Sequence, residues 1–181
     1  GREDIPLNTF GFAQAAALKD AFHDIPLDFV ASSPLMRAYQ TAEITAQDHG
    51  LSVRIEPDLI ERDFGSLSGQ SYIARDSAEA LHGKDPYDDM EPISEVRDRV
   101  MYVIRRYAAS GYKNICLVSH GAAIKAVLRA LTEDDLSRER VWLKNSCINI
   151  IDTDERGELK LLAYNLDAAE FESIKVSSRL G

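Results

Sequence analysis

No apolar run in this 181-residue chain approaches the roughly 18–20 residues that span a bilayer, and no secretory pattern opens it, so a soluble protein is expected, with no membrane partner. Cysteine is scarce. Cys116 and Cys147 both sit in apolar, strand-like runs without a CxxC or a His-rich neighbourhood. Buried thiols in a reducing, cytoplasmic setting are therefore expected in place of a disulfide or a metal site. Positive charge is also short: 21 Lys and Arg face 30 Asp and Glu, for a net charge of −9. That balance opposes a general affinity for nucleic acid and leaves room for a local basic pocket. Gly/Ser linkers, internal repeats and biased tracts are missing. With 45% apolar side chains the chain is long enough to bury one core, and a single domain over 1–181 is expected.

What is present alternates between helical and strand-like patterns. The Ala-rich segment 11–22 has apolar spacings of three and four and reads as a helix, followed by a short strand over 27–31. Ser33 fits an N-cap and Pro34 a first helical position, starting a helix through Ala38, Ala42 and Ile44 towards Gly50, a natural residue just past a helix end. A strand over 52–55, a Gly-bearing loop over 64–69, a weak helical stretch near 77–81 and a longer helix over 94–109 come next. A strand over 114–119 leads into a helix after His120. Two closing strands, 147–151 and 159–164, are joined by Asp-Glu-Arg-Gly, a hairpin signal. The sum is an α/β fold, a three-layer αβα sandwich with a mainly parallel sheet and an antiparallel edge.

Three residues in this pattern carry chemistry. His120, in Leu-Val-Ser-His-Gly, stands where a buried strand ends and a helix begins, at the sheet edge where α/β proteins collect ligands. The free amides of that helix's first turn favour an anion, which makes phosphate the first ligand to consider. Arg37 falls in the first turn of a helix. The macrodipole disfavours a cation there, so Arg37 either extends into water or faces an anion that the same terminus attracts. Glu61, in Leu-Ile-Glu-Arg-Asp-Phe-Gly, follows a strand and precedes a Gly-bearing loop; it either pairs with a surface charge such as Arg62 or, held protonated by burial, acts as a general acid.

In order and spacing, the segments Gly-Arg-Glu-Asp-Ile-Pro-Leu-Asn from Gly1, Ser-Ser-Pro-Leu-Met-Arg-Ala-Tyr-Gln-Thr-Ala from Ser32, Leu-Ile-Glu-Arg-Asp-Phe-Gly-Ser-Leu-Ser-Gly from Leu59 and Val-Ser-His-Gly from Val118 resemble the histidine phosphatase superfamily, the phosphoglycerate mutase-like proteins. The resemblance covers nearly the whole chain up to Tyr164. It implies phosphomonoester hydrolysis through a phosphohistidine intermediate, without metal or cofactor, on a small phosphorylated metabolite. Arg37 and His120 would hold phosphoryl oxygens, Glu61 would act as proton donor and then as base, and Gly1 and Gly121 would add backbone contacts to phosphate. The superfamily's nucleophile is a histidine of an Arg-His-Gly motif closing a first strand, a short way before the segment that here starts at Gly1. By resemblance that strand, with its histidine and arginine, is expected ahead of Gly1, and residues 1–181 by themselves are expected to be inactive. His23, His49 and His82 fall at helix ends and read as surface residues. A phosphoglycerate mutase would carry a long lid that grips a bisphosphate. Here the acidic stretch 85–91 disfavours such a ligand, so a phosphatase is preferred over a mutase, an isomerase, and over a catalytically dead phospholigand-binding module.

Overall fold

A computed structural model describes residues 1–69, 89–132 and 142–178 of the chain. The weak helix near 77–81, His82 and the acidic residues at 85–88 lie outside the described residues. The elements are α1 (Thr9–Phe22), β1 (Phe29–Ser32), α2 (Met36–Ala46), β2 (Val53–Ile55), α3 (Ile93–Ala108), β3 (Ile115–Val118), α4 (Gly121–Leu131), β4 (Ile148–Thr153), β5 (Leu159–Leu166) and α5 (Ala168–Ser178). Among the described residues no helix is long and apolar enough to cross a membrane.

Strand β1 is the centre of a three-stranded parallel sheet in the order β2-β1-β3. Its register sets Val30 between Val53 and Cys116 and Ser32 opposite Val118. Because side chains alternate along a strand, neighbouring residues of β1 serve opposite faces. Val30 packs with Ala42 and Ala46 of α2, whereas Ala31 joins a cluster built from Val96, Val100 and Val103 of α3 and Ala123, Ala126 and Val127 of α4. Helices thus cover both faces, and the expected three layers are formed. Val96 and Val103 have no exposed surface, and each burial stabilises the fold by about 1.5–3 kcal/mol.

Strands β4 and β5 form the expected antiparallel pair and, among the described residues, ladder only with one another. Ile151 and Leu159 still reach the core cluster that holds Ile115 and Leu117 of β3. The two ladders therefore border one core while, among the described residues, β3 and β4 each have one ladder partner. Their hairpin turns as expected, with Asp154 accepting the amides of Arg156 and Glu158 through its side chain and Gly157 at φ +81°.

Helix starts show where local signals yield to distant partners. Helix α1 begins two residues before the apolar pattern does because the Asn8 side chain accepts the Gly11 amide at 2.9 Å. Helix α2 begins at Met36, not at Pro34, and Ser33 is not its N-cap. Asp4, from the N-terminal segment, accepts the Met36 amide at 2.6 Å and satisfies that end instead. Helix α5 lies beyond the elements expected from sequence. Its apolar stripe is thin, but Asp167 and Glu170 exchange backbone bonds as a capping box, and Phe171 lies 5.2 Å from Phe22 of α1. The two thiols are unpaired, as expected. Cys116 retains some exposed surface as a residue, yet its thiol is enclosed, and burial pushes it up to about 12.

Candidate active site

The parallel sheet brings the three chemical residues to one end. Ser33 follows β1 and donates its amide to the Val118 carbonyl at 2.9 Å, so the chain leaving β1 stays beside the chain leaving β3. His120 comes two residues after β3, extended at φ −129°, ψ 166°, and occupies the N-cap position of α4 without capping it through its side chain. Its ring turns to Ser33, with Nε2 2.7 Å from the hydroxyl oxygen. Both residues are buried. Burial first, then positive charges including those of Arg37 and Arg99, lower the His120 pKa to about 3. The imidazole is therefore neutral at physiological pH, able to donate from one nitrogen, and set among cations that attract an anion.

Glu61 supplies the cap that His120 does not. Its Oε1 accepts the amides of Arg62 at 2.8 Å and Ala123 at 3.2 Å, and its Oε2 accepts that of Ala122 at 3.3 Å. The sequence expectation that the first turn of α4 offers free amides to phosphate is thus corrected. Two of those amides are taken by Glu61, because a carboxylate is the best-matched ligand for a positive helix end. The amide of Gly121, at the first helical position, is not among the groups Glu61 binds. Nor does Glu61 pair with the Arg62 guanidinium, whose Nε donates to the Glu91 carbonyl at 2.8 Å.

Arg37 takes neither of the simple alternatives in full. It is half-buried, with Nη1 donating to the Glu3 carbonyl at 2.7 Å and Nη2 to the Gly1 carbonyl at 2.9 Å. Desolvation lowers its pKa, while Glu61, Asp4 and Glu3 act in the opposite direction, and the guanidinium stays charged. Gly1 and Arg37 are thereby fixed to one another, and Glu61 and His120 lie within electrostatic reach of Arg37. The remaining described histidines are elsewhere. His23 closes α1 and meets Asp48 at 3.0 Å, largely exposed. His49 ends the turn after α2; it is half-buried and not the plain surface residue expected, with Nε2 enclosed and lacking a hydrogen-bond partner among the described residues.

Several site residues carried no sequence signal of their role. Ser33 fits a helix cap by its place in the sequence and instead meets His120. Asp4 and Arg2 stand in the N-terminal segment, yet only the fold shows that Asp4 caps α2 and that Arg2 donates to the Glu61 carbonyl at 2.9 Å. Glu91 belongs to the acidic stretch expected to repel bisphosphates. Its carboxylate is neutralised by Arg2 and Arg99 and held below the usual carboxylate range by hydrogen bonds from Arg99 and the Asp63 amide, which outweigh burial. Among the described residues no cluster of His, Cys, Asp or Glu forms a metal site.

Known proteins share this arrangement of chain. The uncharacterized phosphatase PhoE of Bacillus subtilis is 31% identical over 169 residues, 93% of this chain and 86% of its own length. The structure of a mycobacterial glucosyl-3-phosphoglycerate phosphatase with inorganic phosphate superposes with a TM-score of 0.79 at 23% identity, covering 93% of this chain and 91% of the other. A phosphoserine phosphatase of Entamoeba histolytica in complex with 3-phosphoglyceric acid gives 0.75 at 24% identity, over 92% and 87% of the two chains. A sequence profile of the histidine phosphatase superfamily (branch 1) matches residues 1–167. Profile, sequence relatives and fold agree, and the chain belongs to the histidine phosphatase superfamily.

Proposed function

We propose that this site hydrolyses small phosphomonoesters in two steps through a phosphohistidine, and that the accepting histidine belongs to an Arg-His-Gly strand ahead of Gly1. The observation that carries the reading is the meeting of Arg37, Glu61 and His120 at the carboxyl end of the parallel sheet, with Glu61 seated on the first turn of α4. The partly covered β3, with one ladder partner among the described residues, supports a further strand beside it. So does the place of Gly1, whose carbonyl binds Arg37. His23 and His49, at the far ends of α1 and α2, are poorly placed to accept a phosphoryl group.

In the first step the histidine nitrogen bonds to phosphorus as the ester P–O bond breaks, and Glu61 gives its proton to the departing alkoxide. In the second, the Glu61 carboxylate takes a proton from water, the water oxygen bonds to phosphorus and the P–N bond breaks, releasing phosphate. Oε2 suits this work, since among the described residues it carries only the long bond from Ala122. Arg37, His120 and the Gly121 amide stabilise the negative charge spread over the phosphoryl oxygens, a task for which no metal is required. The phosphate and 3-phosphoglycerate held by structural neighbours support a small phosphorylated ligand.

The experiment is a leaving-group comparison on the whole protein. A phenolic ester such as p-nitrophenyl phosphate departs without much protonation, whereas an alkyl ester needs a proton. Glu61→Gln is expected to lower kcat/KM, which reports the ester-cleaving step alone, about 10²-fold or more for the alkyl ester and far less for the phenolic ester. Equal losses on both would refute the acid role.

A further inference from the structure

Glu61 is held from its backbone as well as through its carboxylate. Arg99, on α3, donates from Nη1 to the carbonyls of Asp58 at 2.6 Å and Ile60 at 2.7 Å, from Nη2 to that of Glu61 at 3.3 Å, and from Nε and Nη2 to the Glu91 carboxylate at 2.8 and 3.1 Å. That engages a guanidinium's full set of N–H groups. Arg2 approaches from the N-terminal segment, with Nε on the same Glu61 carbonyl at 2.9 Å and Nη2 on Glu91 at 3.0 Å. The Asp63 amide also binds Glu91, at 3.0 Å. One carboxylate therefore orients two guanidinium groups, and both converge on one carbonyl. The Arg99 and Glu91 side chains are only 15% and 13% exposed, so water competes little for these bonds.

From this geometry we infer that Arg99, oriented by Glu91 and assisted by Arg2, is a positioning residue for the proton transfer at Glu61. The peptide plane between Glu61 and Arg62 is the link. Its carbonyl is pinned by the two arginines, and its N–H, that of Arg62, donates to Glu61's own Oε1. Fixing the plane fixes where the carboxylate starts and which oxygen faces the α4 amides and which the leaving group. The forked, planar guanidinium matters here, because a lysine ammonium is a point charge that does not span three carbonyls and a carboxylate. A misplacement of about 1 Å at a reacting group costs on the order of 10²-fold in rate.

This inference rests on Glu61 acting as the acid, and the test separates the two claims. In the whole protein, Arg99→Lys, Arg99→Met and Glu91→Gln are compared with Glu61→Gln, using glycerol 2-phosphate as the alkyl ester and p-nitrophenyl phosphate as the phenolic one. The Arg99 and Glu91 variants are expected to lower kcat/KM, which reports the ester-cleaving step and not the shared hydrolysis of phosphohistidine, about 10- to 100-fold on the alkyl ester and less than about 3-fold on the phenolic ester. A clamp that only holds the fold together would lower both rates alike, and that result, or no loss on either ester, overturns the inference. Should Arg99→Met not fold, Glu91→Gln, which keeps the shape of the side chain, decides. If Glu61→Gln discriminates between the esters and the Arg99 and Glu91 variants do not, the positioning role fails alone; if Glu61→Gln does not discriminate, both fail.

Discussion

Truncating Glu61 to alanine should weaken the fold independently of any effect on turnover. The carboxylate accepts three amides, and those of Arg62 and Ala123 are buried. Losing an N-cap acceptor costs about 0.5–2 kcal/mol, and each buried donor left without a partner costs about 1–3 kcal/mol. Water reaches the partly exposed Ala122 amide and offsets part of the loss there. The expected total is about 3 kcal/mol, a large share of the roughly 5–15 kcal/mol by which a domain is stable. For a chain of this size that lowers Tm by on the order of 10 °C. Glu61→Gln is the control. Its amide oxygen still serves Arg62 and Ala123, and mainly the charge on the helix end is lost, about 0.3–1 kcal/mol. Urea unfolding at pH 7 with a constant m-value measures both variants. An alanine variant within about 0.5 kcal/mol of the parent, or a glutamine variant as damaged as the alanine one, would refute the capping argument.

Further outcomes follow from the same geometry. His120 stays neutral in the folded protein down to about pH 3 but takes a proton near pH 6.5 once unfolded. The unfolded state therefore binds more protons between those values, so the contribution is fully present above about pH 6.5 and is lost on acidification, by about 2 kcal/mol at pH 5. Urea unfolding at pH 7 and pH 5 checks this, and a His120→Asn variant should lack that part of the drop. For turnover, His120→Ala should lose at least about 10²-fold, the scale for one preorganised donor; near-parental rates would exclude it from the site. Hydrolysis of p-nitrophenyl phosphate by the whole protein should persist in a chelator, and dependence on added metal would refute the metal-free chemistry.

Periodicity and punctuation made the layers and most elements legible. The helix over 94–109 and the hairpin at 154–157 lie within a residue or two of their observed places, since apolar spacing and turn residues are local properties. What failed was non-local. Ser33 and Pro34 have the chemistry of a helix start, but Asp4, more than thirty positions away, satisfies the Met36 amide, and Ser33 is drawn to His120 instead. The α4 amides looked free because nothing near them in sequence binds them, yet Glu61 arrives from 61 and 62 positions earlier. Helix α5 did carry a readable sign, the Asp167-x-x-Glu170 capping box, which its thin apolar stripe obscured. Arg37, Glu61 and His120 could be picked out by motif, whereas the support from Arg2, Glu91 and Arg99 exists only once the chain has folded.

The central claim is that this site passes a phosphoryl group through a histidine. Rapid quenching of the whole protein during turnover, under alkaline conditions that preserve phosphohistidine, followed by peptide mass spectrometry, tests it directly. The phosphoryl group is expected on the histidine of an Arg-His-Gly sequence ahead of Gly1, accumulating when Glu61→Gln slows its hydrolysis by water, and absent when residues 1–181 are treated alone. Phosphorylation of His120 or of any other residue within 1–181, or turnover by those residues alone, would contradict the account.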